Sequence, residues 1–252
     1  MEPTAYAAAW TREESLDSLN RRIHDGVSLE QLADRARGYR DQMFEVLYPF
    51  AQPKEGDHVL EIGSGVGWIM QVMLEKFPMG EITGLDISEN MIRRAQERFS
   101  DPKAQFVLYD GFNFPFSDNY FPVIYSCAAL QHIEKHVAFL LMREIYRVLA
   151  PQGHAILHFL SVNHMPHNGI PYEQECWNII NNVETHWHFY YSFDELFILF
   201  SELIGVDDLD IQHNESFNSF FVHFSKNTQR KFLREDLPHF TYQGRFNQTF
   251  PI

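Results

Sequence analysis

His58-Val59-Leu60-Glu61-Ile62-Gly63-Ser64-Gly65-Val66-Gly67-Trp68-Ile69-Met70 is the stretch whose reading decides the fold. An apolar run carrying one acid breaks into a loop with glycine at every second position. Apolar residues then return at helical spacing through Met70, Val72, Met73, Leu74 and Phe77. The pattern predicts a strand, a tight turn and the start of a helix. Glycine suits such a turn because it takes positive φ freely and lets a ligand approach the backbone where a Cβ would intervene. The first amides of the helix are left to face an anionic or polar group.

The same alternation continues downstream. Residues 80–87 form a second strand that ends in an acid, Asp86, and Ser88 is placed to N-cap a helix carrying Met91, Ile92, Ala95 and Phe99. Residues 104–109 make a third strand ahead of Asp110. Residues 121–127 make a fourth, which leads through Gln131-His132-Ile133 into a helix that Pro151-Gln152-Gly153 is expected to stop. Residues 154–160 are the fifth strand. Strand and helix in regular alternation argue for an α/β, doubly wound parallel sheet.

Upstream, residues 1–50 carry apolar positions at helical spacing, and Ser28 with Gln31 resembles a capping box opening one of two or three helices. Beyond the fifth strand, residues 161–191 lose any period, as a cap insertion does. Ser192-Phe193-Asp194-Glu195 then opens a helix to about Ile204, and residues 207–212 and 217–224 read as a closing strand pair. The expectation is one domain over 1–252: a helical lid (1–50), a cofactor-binding core (51–160), a cap (161–191), the end of the sheet (192–225) and a C-terminal extension (226–252).

The chain has 252 residues, 45% of them hydrophobic, enough for a sizeable core. Its formal charge of -14 opposes a nucleic-acid partner, since phosphate binders present a basic face. The start lacks the basic and apolar regions of a secretory signal, and no run reaches the roughly 18 apolar residues of a membrane span, so a cytoplasmic protein with no membrane attachment is expected. Cys127 and Cys176, far apart, give neither a disulfide framework nor a zinc motif.

In a doubly wound sheet, ligands bind beyond the carboxyl ends of the strands, near the point where strand order reverses. The glycine loop, Asp86, Asp110 and Ser126 all fall there. Asp86 lies about 20 residues past the glycines, where an acid can accept hydrogen bonds from both ribose hydroxyls, so a nucleoside-bearing cofactor fits. A nicotinamide site calls for a third glycine where Trp68 stands, and the Lys-Ser/Thr ending of a phosphate loop is missing.

These motifs together resemble the class I S-adenosylmethionine-dependent methyltransferases of the small-molecule type. The likeness covers residues 59–160 and rests on Leu60-Glu61-Ile62-Gly63-Ser64-Gly65-Val66-Gly67, Gly84-Leu85-Asp86-Ile87-Ser88, Tyr109-Asp110-Gly111-Phe112 with Phe114-Pro115-Phe116, Gln131-His132-Ile133 and Arg147-Val148-Leu149-Ala150-Pro151-Gln152-Gly153. It implies a Rossmann-like, mostly parallel seven-stranded sheet with an antiparallel last strand, and S-adenosyl-L-methionine as cofactor with S-adenosyl-L-homocysteine as product. It further implies that Glu61, Gly63, Ser64, Gly65 and Gly67 cradle the methionyl part and that Asp86 binds the ribose. Ile87 and Met91 would flank the adenine, Asp110 would meet its amino group, Gly111 and Phe112 would complete that pocket, and Ser126 and Cys127 would lie beside the sulfonium. Pro122 stands where the family has an aspartate, and Gln152 replaces the first glycine of Pro-Gly-Gly, which puts the edges of strands four and five in question.

Methyl transfer needs in-line attack on the sulfonium methyl, so alignment is the main contribution of the enzyme, and a hydroxyl acceptor must also lose a proton. His132, just past the fourth strand, is the candidate base; the alternative is a structural histidine that caps the following helix. His164, His167, His186 and His188 with Glu173, Glu175 and Glu184 match no recognised zinc spacing, so an acceptor pocket is expected there and no metal. Trp177, Trp187, Phe189, Tyr190, Tyr191 and Phe193 either stack on the acceptor or fill the core under the cap. Tyr6, Trp10, Tyr39 and Arg40 are candidates for a lid, with Arg40 facing the cofactor carboxylate. The expected reaction is methylation of a small-molecule acceptor at oxygen, with nitrogen next. The alternatives are a macromolecule methyltransferase, an aminopropyl transferase, for which the paired acids after strand four are missing, and a non-catalytic cofactor-binding regulatory subunit. The N-terminal helices and the C-terminal extension are both available for a homodimer interface.

Overall fold

Val59 and Leu60 are both fully buried, and successive strand residues face opposite sides of a sheet, so the first strand must be covered on both faces. The structure, a computed structural model, describes residues 28–162, 188–206, 208–215 and 218–226, together with residues 10, 173 and 177. The strands are β1 (His58–Ile62), β2 (Glu81–Asp86), β3 (Ala104–Leu108), β4 (Phe121–Ser126), β5 (Leu149–Ser161), β6 (Tyr190–Tyr191), β7 (Asp208–Asn214) and β8 (Ser219–Ser225). Their order is β3-β2-β1-β4-β5-β8-β7, with β6 added to β5. All pairings are parallel except β5 with β8 and β7 with β8, so the last strand is the antiparallel one, as expected. The short β6 raises the expected seven strands to eight.

The helices are α1 (Leu29–Asp41, continued by a wider turn over Gln42–Leu47), α2 (Trp68–Lys76), α3 (Glu89–Arg98), α4 (Lys135–Val148) and α5 (Phe193–Phe197, continued over Ile198–Ile204). Their starts follow the side chains that cap them. Ser28 and Gln31 exchange both bonds of a capping box, Ser192 and Glu195 do the same, and Ser88 accepts from the Met91 amide. Each such cap is worth about 1 kcal/mol. On one face of the sheet α4 and α5 pack Leu141, Ile145, Leu196 and Phe200 against Leu60, Ile124, Leu157 and Phe159. On the other, α1 and α2 pack Phe44, Met70 and Met73 against Val59, Ile82, Tyr125 and Ile156. Among the described residues no helix is long and apolar enough to cross a membrane.

The fifth strand differs from expectation. It begins at Leu149, directly after α4, so Pro151-Gln152-Gly153 lies inside the strand and does not end the helix. Proline biases the residue before it toward extended backbone, and neither Pro122 nor Pro151 has an N–H for the ladder. The β4–β5 register slips between Phe121 and Val123, Gln152 adopts φ 62°, and a Cβ on Gly153 would stand 2.8 Å from the Pro122 carbonyl oxygen. The two departures from the family pattern therefore meet in one bulge, at the end of the strands remote from the glycine loop.

Candidate active site

Because β2 and β3 lie to one side of β1 and β4 and β5 to the other, the chain leaves β1 and β4 in opposite directions, and the loops above their carboxyl ends diverge to form a cleft. The glycine loop is anchored on the end of β2: the amides of Gly63 and Ser64 both donate to the Leu85 carbonyl, at 2.8 and 3.2 Å. Gly63, Gly65 and Gly67 have φ of 69°, 53° and 81°. A Cβ on Gly63 would sit 2.2 Å from Ala129 Cβ, and one on Gly67 would sit 2.6 Å from the Phe99 ring. A Cβ on Gly65 would meet nothing within 4 Å. Protein closes two of these positions, whereas the third opens on space.

Glu61 lies beneath this loop, 3% exposed. Burial pushes its carboxyl up to about 8, with the Asp86 charge adding to the effect and the nearby Tyr125 hydroxyl and Met70 amide pulling the other way. Oε2 of Glu61 still has no well-formed partner among the described residues. Ser64 turns inward instead: its buried Oγ, also unpartnered, packs where a Cβ on Gly84 would be.

Asp86 accepts from the Gly65 amide at 2.8 Å and from the Ser88 amide at 2.9 Å, and burial raises its carboxyl above the ordinary range in spite of these bonds. It thus joins the glycine loop to the start of α3. Asp110 is exposed. Slight burial works to raise its carboxyl, but bonds from the amides of Phe112 and Asn113 and from the Asn113 side chain prevail and hold it below the usual range. Gly111, with φ 88°, passes close to Ile87, and Met91 packs with Val66, Trp10 and Trp68. Ser126 donates to the Ile62 carbonyl at 3.0 Å and so ties β4 to β1. Burial, with the Glu61 charge adding to it, pushes the Cys127 thiol well above its ordinary value, so it is neutral.

His132 is buried in a short turn, Leu130–His132, and α4 takes Glu134 as its N-cap, so the histidine does not cap that helix. Its ring lies 5.2 Å from that of Trp10 and 4.9 Å from that of His188, and its Nε2 is 3.3 Å from the Gln131 carboxamide nitrogen. Residues from the N-terminal segment, the turn after β4 and the end of the insertion thus converge. Of the other lid candidates, Tyr39 sets its ring edge-on to His158 at 5.3 Å, while Arg40 donates to the Val72 carbonyl and pairs with Asp41. Arg40 is therefore engaged on the backbone of α2. Tyr191 is core, packed on Phe159, and Phe193 is exposed. Tyr6, His164, His167, Glu175, Cys176, Glu184, His186 and Trp187 lie outside the described residues.

Residues 59–153 match the family profile described as a methyltransferase domain, and the architecture around them is that of the class I enzymes. The chain is similar to that family over under half of its length. It is 29% identical over 146 residues to the ubiquinone/menaquinone biosynthesis C-methyltransferase UbiE of Desulfotalea psychrophila, covering 53% of this chain and 58% of that protein. It is 28% identical over 167 residues to a malonyl-[acyl-carrier protein] O-methyltransferase of a Marinomonas species, covering 66% of this chain and 59% of that one. The chain thus spans under two thirds of these relatives. Among solved structures, phosphoethanolamine N-methyltransferase 2 of Haemonchus contortus, in complex with phosphomonomethylethanolamine and S-adenosylhomocysteine, superposes with a TM-score of 0.64 at 15% identity, covering 90% of this chain and 61% of the other.

The site also depends on residues whose role the sequence does not reveal. Arg98, on α3, stacks its guanidinium 3.5 Å over Trp68 and donates to the Val66 carbonyl at 2.9 Å, which braces the glycine loop from outside. Burial lowers this guanidinium to about 10. Trp68 replaces the third glycine without obstruction because its ring turns toward Arg98. Gly84 and Ala129 are small where the loop needs space, a property visible only once their neighbours are known.

Proposed function

We propose that this chain is an S-adenosylmethionine-dependent methyltransferase acting on a small-molecule acceptor, at oxygen. The reading is carried by two observations, the open space at Gly65 and the buried Oε2 of Glu61, which has no partner among the described residues. A buried carboxyl of this kind fits an ammonium group, and residues 63–67 carry no cationic side chain of their own, as suits a cofactor without phosphate. When bound, the cofactor supplies an electrophilic methyl on a sulfonium.

The remaining roles belong to the chain. Glu61, ionised by the incoming cation, holds the amino-acid end, and the loop amides face its polar groups. Asp86 gives up the Gly65 amide to accept from ribose hydroxyls, while Ile87, Met91, Gly111 and Phe112 bound the adenine side and Asp110 receives its amino group. Cys127, kept neutral by burial, offers no competing nucleophile beside the sulfonium.

His132 takes the acceptor proton as oxygen attacks in line. The amide of Gln131 leaves its Oε1 unpartnered when its nitrogen faces the ring. A half-turn of the carboxamide, indistinguishable in shape, sets Oε1 on an Nε2 proton and makes Nδ1 the accepting nitrogen. Trp10 and His188 flank the acceptor, and the charge of -14 favours a small neutral or cationic one over a polyanion. The proteins named above act at carbon, oxygen and nitrogen by their names, so the choice of oxygen rests on His132. Incubation with methyl-labelled S-adenosylmethionine and a panel of phenols, sugars and amines tests this reading. Label is expected in hydroxyl acceptors; transfer to amines alone would overturn the oxygen assignment, and binding without transfer to any acceptor would favour a non-catalytic subunit.

A further inference from the structure

His158, in β5, belongs to none of the roles above. Its ring is 1% exposed, on the sheet face that packs against α1, between the Tyr39 ring and Phe221. The Ala128 amide donates to its Nδ1 at 3.2 Å, and its Nε2 stands 2.7 Å from Ser219 Oγ. A nitrogen that accepts from an amide carries no proton, so the hydrogen is on Nε2 and is donated to Ser219.

The residue held in this way is unusual. Ala128 has φ 54°, in the left-handed region that a side chain with a Cβ disfavours, and it stands directly after Cys127 at the carboxyl end of β4. Its conformation aims the following residue. Ala129 Cβ fills the space above Gly63, and the Ala129 carbonyl accepts from the His132 amide at 3.0 Å, opening the turn that presents that histidine. One buried imidazole thus stands behind both the floor of the glycine loop and the candidate base.

We infer that His158 is a positioning residue: by holding Ala128 in its left-handed conformation it fixes Ala129 against Gly63 and sets His132 at the mouth of the cleft. The inference deepens the proposed function and rests on it where cofactor is concerned. Asparagine is the informative replacement, because its Oδ1 can stand near the place of Nδ1 and accept from Ala128 while abandoning Ser219. Leucine keeps bulk and removes both bonds.

Two measurements on the full chain test this. In amide hydrogen exchange of the ligand-free protein, His158→Leu is expected to accelerate exchange at residues 126–132 and 61–68, whereas His158→Asn leaves both near wild type. In titration with S-adenosylhomocysteine, His158→Leu is expected to bind about tenfold more weakly, the ratio that corresponds to one lost buried hydrogen bond. Adding Ala128→Gly, which removes the steric objection to positive φ, is expected to recover most of that loss. A merely structural histidine predicts that Asn behaves like Leu and that Ala128→Gly rescues nothing; either result overturns the inference. If the wild-type chain binds no S-adenosylhomocysteine, the proposed function falls while the exchange measurement still decides the role of His158.

Discussion

The proposed contact of Glu61 with an ammonium group depends on the protonation of a buried carboxyl. That carboxyl titrates near 8 in the free protein because burial outweighs its hydrogen bonds. An ammonium group binds the carboxylate form, so below that value a proton must leave before the cation is held. Affinity for S-adenosylhomocysteine is therefore expected to weaken about tenfold per pH unit between roughly pH 7 and 6. Glu61→Gln should flatten this dependence as well as lower the affinity, and titrations across that range check both. His132 makes a different prediction. His132→Ala is expected to lower turnover by about 100-fold or more, the scale of general-base catalysis, with affinity for S-adenosylhomocysteine unchanged. Single-turnover assays beside binding titrations separate the two, and unchanged turnover would remove His132 from the chemistry.

Among the elements, the glycine loop distinguishes packing from function by position. Gly63→Ala places a methyl 2.2 Å from Ala129 Cβ as well as straining a φ of 69°, so it should lower thermal stability, by an amount on the order of 2 kcal/mol, and Ala129→Gly in the same chain should restore part of it. Gly65→Ala meets no atom within 4 Å. It should lose only about 1 kcal/mol of stability, the cost of a left-handed alanine, yet bind S-adenosylhomocysteine more weakly because its methyl enters the cradle. Thermal melts and titrations of the two variants form the comparison.

This loop was legible in the sequence because alternate glycines after an apolar run restrict the backbone locally, and Ser28, Ser88 and Ser192 marked helix starts for the same reason. The start of β5 was not legible. Pro151 and Gly153 read locally as a helix stop, and only the pairing with β4 shows that they form a bulge within a strand. Nor could the chain alone reveal that His158 reaches Ala128 or that Arg98 covers Trp68, since both contacts cross about 30 residues and depend on how elements pack.

In the whole molecule, a second polar cluster sits away from the cleft. His154 Nδ1 lies 3.1 Å from His223 Nε2, the His223 ring stacks on Tyr48 at 4.9 Å, and Phe50 edges against both histidines. Burial, with His154 adding to it, lowers His223 to about 4, against the pull of Asp208 and Asp210. Burial likewise lowers His154. For a histidine whose folded value is depressed, the unfolded chain binds the proton first, so stability is fully present above about pH 6.5 and drains away as pH falls toward 4. Urea unfolding at pH 7 and pH 5 is expected to show wild type losing about 2 kcal/mol relative to His223→Phe at the lower pH, because phenylalanine can keep the Tyr48 stack and takes up no proton, while the opposite contribution of Glu61 is common to both chains. An equal pH response in the two chains would contradict the role given to His223.

The account as a whole depends on the cleft above the carboxyl ends of β1 and β4 accepting one nucleoside-bearing sulfonium. Calorimetric titration of the chain with S-adenosylmethionine and S-adenosylhomocysteine tests that most directly. Saturable one-to-one binding of both, on the order of micromolar and weakened by Gly65→Val, is the expected result. No binding of either ligand, or binding indifferent to the substitution at Gly65, would contradict it.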